Sequence, residues 1–380
     1  MKTEHQLTHV QEKSDLPNRK KSLTAIILFL LLTACPWLLW LTLGRFVQNT
    51  NTENRTLAEF PVFSFETFAE YPMLMDTWLD DHLPFRSSLV EWNSAIDYFL
   101  LHSSTNELVV PGKEGWLFYT ENHSTDYYKG RNLFSEKKLK KIAQNMQSTK
   151  DTLEAKGISF ALVIAPNRER MYPEYLPDWY GIPAQPNALD QVVSYLREHT
   201  DVTVVSPYDR LMAEKEKSPE IILYHKTDTH WNDLAAYYAV RELLDALGIS
   251  FPVGENAITI EKKDDTPGDM ADLLNLKRLI TPGETYVVSG YQAADEETVE
   301  SSFFGHIRCK ALSRTTGRIL VARDSFCSAM IPVIRSVFTE SDMVHHRAFE
   351  NSLIDAEQPD YFVYEVVERQ LNKLLKFKYE

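Results

Sequence analysis

The chain has 380 residues, of which 44% are apolar and 25% charged, with a formal net charge of −14. That length suits one large domain or two modest ones, and the composition excludes wholesale disorder. An acidic chain is repelled by phosphate backbones, which argues against nucleic acid as a partner, and three cysteines do not make a disulfide scaffold.

Residues 1–22 are polar and mixed in charge, and read as a disordered cytoplasmic tail. Residues 23–44 carry no charge. As a helix this run spans roughly 30 Å, the thickness of a bilayer's hydrocarbon core. Arg19, Lys20 and Lys21 precede it. The positive-inside rule then places the N-terminus in the cytoplasm and the rest outside the cell membrane. Trp37 and Trp40 suit an interfacial position. A cleaved signal peptide would have a shorter core, roughly 7–15 residues, and a small-residue cleavage site. Leu32-Thr33-Ala34-Cys35 resembles a lipobox, but Pro36–Leu43 stays apolar where a lipoprotein turns polar. The expected organisation is a tail over 1–22, one transmembrane anchor over 23–44, a stalk and helical connector over 45–111, and a catalytic domain over 112–380.

In the connector, 65–81 and 88–101 are expected helices. Gly112–Phe118 reads as a glycine-bounded turn into a short strand. Ser135–Lys156 is a helix with Leu139, Ile142, Met146 and Leu153 on one face, closed by Gly157. Ile158–Ala165 is a continuous apolar run with the length of a buried strand. A helix at Leu189–His199 and a strand at Val202–Val205 follow. Asn232–Leu247 is a helix capped by Asn232 and stopped by Gly248. Arg318–Val321 is a strand leading to a helix-like stretch from Ser325. Tyr361–Val367 is a late strand, and a basic helix ends the chain. Strands alternating with helices imply an α/β sandwich with a mostly parallel sheet covered on both faces.

Two segments carry chemistry. Thr227-Asp228-Thr229-His230-Trp231-Asn232 follows the apolar Ile221–Leu223 and precedes a helix. Open α/β sheets place their sites on such loops. Asp228 can hold the His230 tautomer and stabilise the imidazolium. Arg323-Asp324-Ser325-Phe326 reads strand, tight turn, helix, which lifts the Ser325 hydroxyl to a helix N-terminus where negative charge is favoured. Together they supply a nucleophile, a base and an orienter. Two plainer readings stand beside this. Asp324 and Ser325 are common helix caps, and His225, Asp228, His230 and Asp233 are all possible metal ligands, though no ligand motif supports a metal site. Cys309 and Cys327 leave two options, a disulfide or buried thiols.

The chain resembles the SGNH-hydrolase-like polysaccharide O-acetyltransferases of bacterial exopolysaccharide systems, of AlgX/AlgJ and DHHW type. The resemblance runs over about 53–375 and rests on seven pieces in order: Glu53–Ala58, Asp81–Arg86, Gly112–Tyr119, Ala165–Pro177, Thr227–Asn232, Gly268–Leu273 and Arg323–Phe326. It implies an SGNH-like α/β/α domain in permuted order, with Asp228 as triad acid, His230 as base and Ser325 as nucleophile. Arg323 stands where the family has glycine. Asn167 is a candidate oxyanion donor, and Tyr224 and Arg168 are candidate cleft residues.

The expected activity is transfer of acetyl groups through an acyl-serine to a hydroxyl of a secreted or surface polysaccharide, with no cofactor. The resemblance implies a membrane-bound O-acyltransferase as the acetyl-supplying partner. Two alternatives remain open on sequence: a carbohydrate acetylesterase with the same triad, and a non-catalytic polysaccharide-binding or assembly protein.

Overall fold

A computed structural model describes residues 19–43, 56–65, 68–83, 85–120, 124–302 and 304–380, with side chains at 19–21, 36, 37, 40 and 43 outside the described set. Residues 1–18 of the expected tail, most of the early stalk, and the side chains of Trp37 and Trp40 therefore lie outside the described residues, while 19–22 of the tail are helical. The chain forms two compact units, one ending at Asn93 and one covering Ser94–Glu380.

In the first unit, Arg19–Leu43 is a single helix of 25 residues. Among the described residues, no helix is long and apolar enough to cross a membrane. The helix expected over 65–81 begins at Tyr71 and ends at His82. Pro72 sits in its first turn, where a missing N–H leaves no bond unmade. Asp81 accepts the Ala58 N–H at 2.7 Å, and Phe60 meets Trp78 edge-on at 5.0 Å.

Among the described residues, the second unit holds eleven strands. They are β1 Val109–Pro111, β2 Leu117–Tyr119, β3 Ser159–Ala165, β4 Thr203–Val205, β5 Thr259–Asp264, β6 Glu284–Ser289, β7 Glu297–Ser301, β8 His306–Lys310, β9 Arg318–Arg323, β10 Glu340–His345 and β11 Tyr361–Val367. Seven form the main sheet in the order β4-β3-β11-β9-β10-β8-β7. The first five are mutually parallel, while β8 and β7 join antiparallel. The sheet is mixed and mostly parallel. β1 pairs with β2, and β5 with β6, as separate ribbons.

The central strands read as unbroken apolar runs because both their faces are buried. Ala161, Val163 and Ala165 of β3, with Ile319 and Val321 of β9, enter one core with the helix Asp233–Ala246. Phe160, Leu162 and Ile164, with Leu320 and Ala322, enter the opposite core under the helices Glu136–Glu154 and Ala188–His199. Side chains alternate across a strand, so the apolar residues of these runs are shared between the two cores. The chain end differs from the expected basic helix. Glu368–Leu375 forms 3-10 turns that bury Glu368, Leu371 and Leu374, packing back onto the second core.

Candidate active site

β9 is a central strand, and its C-terminal end carries the turn Asp324-Ser325. Asp324 fixes that turn. One carboxylate oxygen accepts the Phe326 N–H and the other the Val367 N–H of the neighbouring strand, each at 2.8 Å. The Asp324 N–H in turn donates to Glu365 at 2.8 Å. Asp324 thus braces the turn against β11. The segment beyond Ser325 is a four-residue 3-10 turn, Phe326–Ala329, followed by a five-residue helix. It is shorter than the expected helix, so little macrodipole acts at the serine.

The loop carrying Asp228 and His230 does not leave a strand of the main sheet. It is held by an isolated antiparallel bridge, Tyr224 with Trp231, and by the Asn232 N–H on the Leu223 carbonyl at 2.9 Å. Asn232 also caps the following helix, accepting the Ala235 N–H at 3.2 Å.

These two segments bring Asp228, His230 and Ser325 together. His230 Nδ1 lies 2.6 Å from Asp228 Oδ1, and His230 Nε2 lies 2.8 Å from Ser325 Oγ. All three side chains are half-buried. Burial alone would raise the Asp228 carboxyl. The bond and charge of His230, with the N–H groups of Asp269 and His230, outweigh it and hold the group well below the usual carboxylate range. Asp228 therefore stays ionised, and the imidazole between them can carry a proton from the hydroxyl side.

Asp269 was not singled out in the sequence. It accepts both the Thr229 N–H at 2.8 Å and the Thr229 hydroxyl at 2.6 Å, and its own N–H donates to Asp228 Oδ2 at 3.0 Å. Gly268 makes this approach possible: a Cβ there would sit 2.3 Å from Asp228 Cβ. The signal lay in the Gly268–Leu273 segment, whose role needed the fold to become visible.

The other expected site residues are placed differently. Tyr224 is fully buried, and its hydroxyl donates to the Pro166 carbonyl at 2.6 Å, so it lines no cleft. Arg168 is also buried; it donates to the Leu117 carbonyl and, at 3.2 Å, to that of Lys226. It clamps β2 to the Asp228 loop instead of meeting solvent. Among the described residues its buried Nε and Nη2 have no hydrogen-bond partner, and burial lowers its pKa to about 10. Asn167 is buried with Oδ1 accepting the Arg369 N–H at 3.3 Å. Arg323 is buried behind the turn, with Nη1 3.3 Å from the Asp324 carbonyl oxygen.

His225 bonds Asp265 at 2.9 Å, and the set of His225, Asp228, His230 and Asp233 does not assemble. Among the described residues, the acidic and imidazole groups that converge are Asp228, His230 and Asp269, with donor atoms within 4.8 Å of one another. Cys309 and Cys327 are separate buried thiols.

Comparison with known proteins follows the same outline. Two alginate O-acetylase AlgJ sequences, each named as probable, are similar. That of Pseudomonas syringae pv. tomato is 25% identical over 229 residues, covering 57% of this chain and 56% of its own. That of Pseudomonas aeruginosa is 26% identical over 188 residues, covering 47% and 44%. The chain spans about half the length of these curated relatives. The solved structure of Bacillus cereus PatB1 shares the fold, with a TM-score of 0.52 at 15% identity over 70% of this chain and 98% of that one. The family model for the SGNH hydrolase-like domain of the acetyltransferase AlgX matches residues 109–307, which include Asp228 and His230 and end before Ser325. Matched over more than half its length, the chain belongs to this AlgX family of SGNH hydrolase-like domains.

Proposed function

We propose that this protein is an O-acetyltransferase that acetylates a polysaccharide outside the cytoplasm through an acyl-serine. The observation that carries the reading is the continuous Asp228–His230–Ser325 chain of 2.6 and 2.8 Å contacts. In the first half-reaction, Ser325 Oγ attacks the carbonyl carbon of an acetyl donor while its proton passes to His230 Nε2. The tetrahedral intermediate collapses, the leaving group takes that proton, and acetyl-Ser325 remains. In the second, a sugar hydroxyl gives its proton to His230 and attacks the acetyl carbon. Ser325 Oγ leaves and recovers the proton. Asp228 keeps the imidazole oriented and balances its charge in both halves.

The membrane setting is part of the proposal. It is supported by the uncharged run over 23–44, the cationic cluster before it, and the helix Arg19–Leu43. An anchor there would hold the enzyme beside a membrane-bound O-acyltransferase partner that supplies acetyl groups. The curated relatives are named for alginate. Their polymer is not carried over to this chain.

The test is trapping the intermediate. The full-length protein is mixed with an activated acetyl ester, quenched in acid and digested. Acetyl on the Ser325 peptide, chased away by added oligosaccharide with acetate appearing on sugar, supports the reading. Rapid ester turnover with acetate passing only to water would make it an esterase. An unlabelled Ser325 in an active protein would overturn the serine mechanism.

A further inference from the structure

Glu365 is the one charged residue of β11, and it is fully buried. Side chains alternate along a strand, so it shares a face with Val363 and Val367, which belong to the core formed with the helix Asp233–Ala246. Burying an ionised carboxylate is costly unless it is paired and hydrogen-bonded. An acid at this position is either neutral or answered by a cation.

Its surroundings assign the proton. Glu365 Oε2 accepts the Asp324 N–H at 2.8 Å. Oε1 is buried and receives no N–H or hydroxyl among the described residues, while the side chain meets the Asp324 carboxyl. Both Asp324 oxygens already accept an N–H, Oδ1 from Phe326 and Oδ2 from Val367, each at 2.8 Å. That is the bonding of a carboxylate. Two carboxyls in contact inside a core do not both ionise. One proton shared between them satisfies every oxygen only if it sits on Glu365 Oε1 and is donated to Asp324. Burial first, and then the Asp324 charge, push the Glu365 carboxyl well above the usual carboxylate range, against the Asp324 N–H and Lys373.

The other ionisable groups around the pair leave that proton in place. Arg323 donates to the backbone carbonyl of Asp324 at 3.3 Å. His346 donates from Nε2 to the backbone carbonyl of Glu365 at 2.7 Å, and burial holds it down to about 4, so it is neutral. Burial also lowers His345 and Lys373, and it raises the Cys327 thiol and the Tyr364 phenol, which stay protonated. Asp324 directly precedes Ser325, so the Glu365 O–H joins two backbone N–H bonds in tying the nucleophile's turn to β11. An ionised Glu365 would replace that bond with a repulsion.

We propose that Glu365 is a positioning residue: a neutral carboxylic acid that donates its proton to Asp324 and so holds the Asp324-Ser325 turn for acyl transfer. The positioning role rests on the acetyl-transfer reading above, and the location of the proton does not. Full-length wild type and Glu365→Gln in detergent are compared by infrared difference spectroscopy at about pH 8, where ordinary carboxyls are ionised. The carbonyl stretch of a protonated carboxyl should be present in wild type and absent from the variant. In ester turnover Glu365→Gln should keep most of kcat, since its amide accepts the Asp324 N–H through oxygen and donates to the Asp324 carboxylate through nitrogen. Glu365→Ala should lose about tenfold or more in kcat, with KM little changed. Asp324→Asn must aim its NH2 at the N–H of Phe326 or Val367 and should lose at least as much, so the tolerated amide marks the partner that carries the proton. Melting curves separate misplacement from unfolding. If Glu365→Ala does not fold, the infrared band and the contrast between Glu365→Gln and Asp324→Asn still decide. Absence of the band, Glu365→Gln as impaired as Glu365→Ala, a folded Glu365→Ala with wild-type kcat, or Asp324→Asn milder than Glu365→Gln would overturn the proposal. The band in a protein whose Ser325 never takes acetyl would keep the proton on Glu365 and remove the transferase. Acetylated Ser325 without the band would do the reverse.

Discussion

Trp231 donates its indole N–H to the carbonyl of Phe326 at 2.8 Å, joining the residue after His230 to the residue after Ser325. His230 and Ser325 come from segments 95 positions apart, and this buried bond ties the two segments together beside their 2.8 Å contact. The Phe326 ring also lies 5.0 Å from the His230 ring, so the same residue packs the imidazole.

Trp231→Phe should therefore cut kcat more than it changes KM for a small acetyl ester. It leaves the Phe326 carbonyl buried without its donor, at a stability cost of about 1–3 kcal/mol. A shift of even about 1 Å between reacting groups can lower the rate on the order of a hundredfold. Steady-state kinetics beside urea unfolding checks this. Unchanged kcat in the folded variant would show that the bond does not set the geometry.

Gly268 and Asp269 form the support behind Asp228. In Gly268→Ala the new Cβ meets Asp228 Cβ and Oδ2, at 2.3 and 2.7 Å before relaxation, so the Asp228 loop must move. Asp269→Ala removes the acceptor for two Thr229 donors. Both variants should fold and lose about tenfold or more in kcat, with KM for a small ester little changed. Asp269→Asn, which retains one carbonyl acceptor, should lose less. An Asp269→Ala enzyme with wild-type kcat would remove Asp269 from the positioning role.

How much was legible follows from these contacts. β3, β9 and β11 were readable because strands buried on both faces are continuous apolar runs. β7 was not: Glu297–Ser301 is exposed throughout and polar, and it is a strand only because β8 offers an open edge. β10 was missed because Glu340–His345 buries Ser341 and Asp342, the latter held by Arg308 at 2.9 Å, so its sequence looks like a loop. Asp228, His230 and Ser325, which the fold brings together, could be picked out because their residue types suit an orienter, a base and a nucleophile. Asp269 could not, since its partners lie 40 residues away and residue type alone does not reveal them. Tyr224 and Arg168, expected at a cleft, lie buried. Polar residues near a motif suggest a cleft, yet here the Tyr224 hydroxyl and Arg168 Nη1 bond backbone carbonyls inside the wall.

Glu368 should make stability pH-dependent. Burial pushes its carboxyl up to about 7, despite Arg170 and the Asn167 N–H that favour the charged form. The folded pKa exceeds the unfolded one near 4.5, so the folded state binds the proton more tightly. This contribution is complete below about pH 4.5 and is lost as pH rises through about 7. The shift corresponds to about 3 kcal/mol at most. Glu368→Gln keeps an acceptor for the Asn167 N–H and carries no charge. It should raise Tm relative to wild type at pH 8, with little difference at pH 4.5. Equal Tm differences at both pH values would show that Glu368 does not titrate in this range.

The triad should behave as a unit. Ser325→Ala removes the atom that would carry acetyl. His230→Ala should lose nearly as much, because an unassisted hydroxyl is a weak nucleophile at neutral pH. The Ser325→Ala, His230→Ala double variant should be little worse than either single one, since a base without its nucleophile has nothing left to activate. Asp228→Asn should also be severe. It removes the charge that balances the imidazolium and frees His230 Nδ1 to adopt the other tautomer. Because all three side chains are half-buried on turns, none of these changes should lower the unfolding free energy by more than about 2 kcal/mol. The measurements are ester turnover by the full chain and polymer acetylation in cells, each beside a melting curve. Losses that multiply across Ser325 and His230 would mean that the two residues act independently. Full activity in a folded Ser325→Ala protein would leave the 2.8 Å contact with His230 as packing alone.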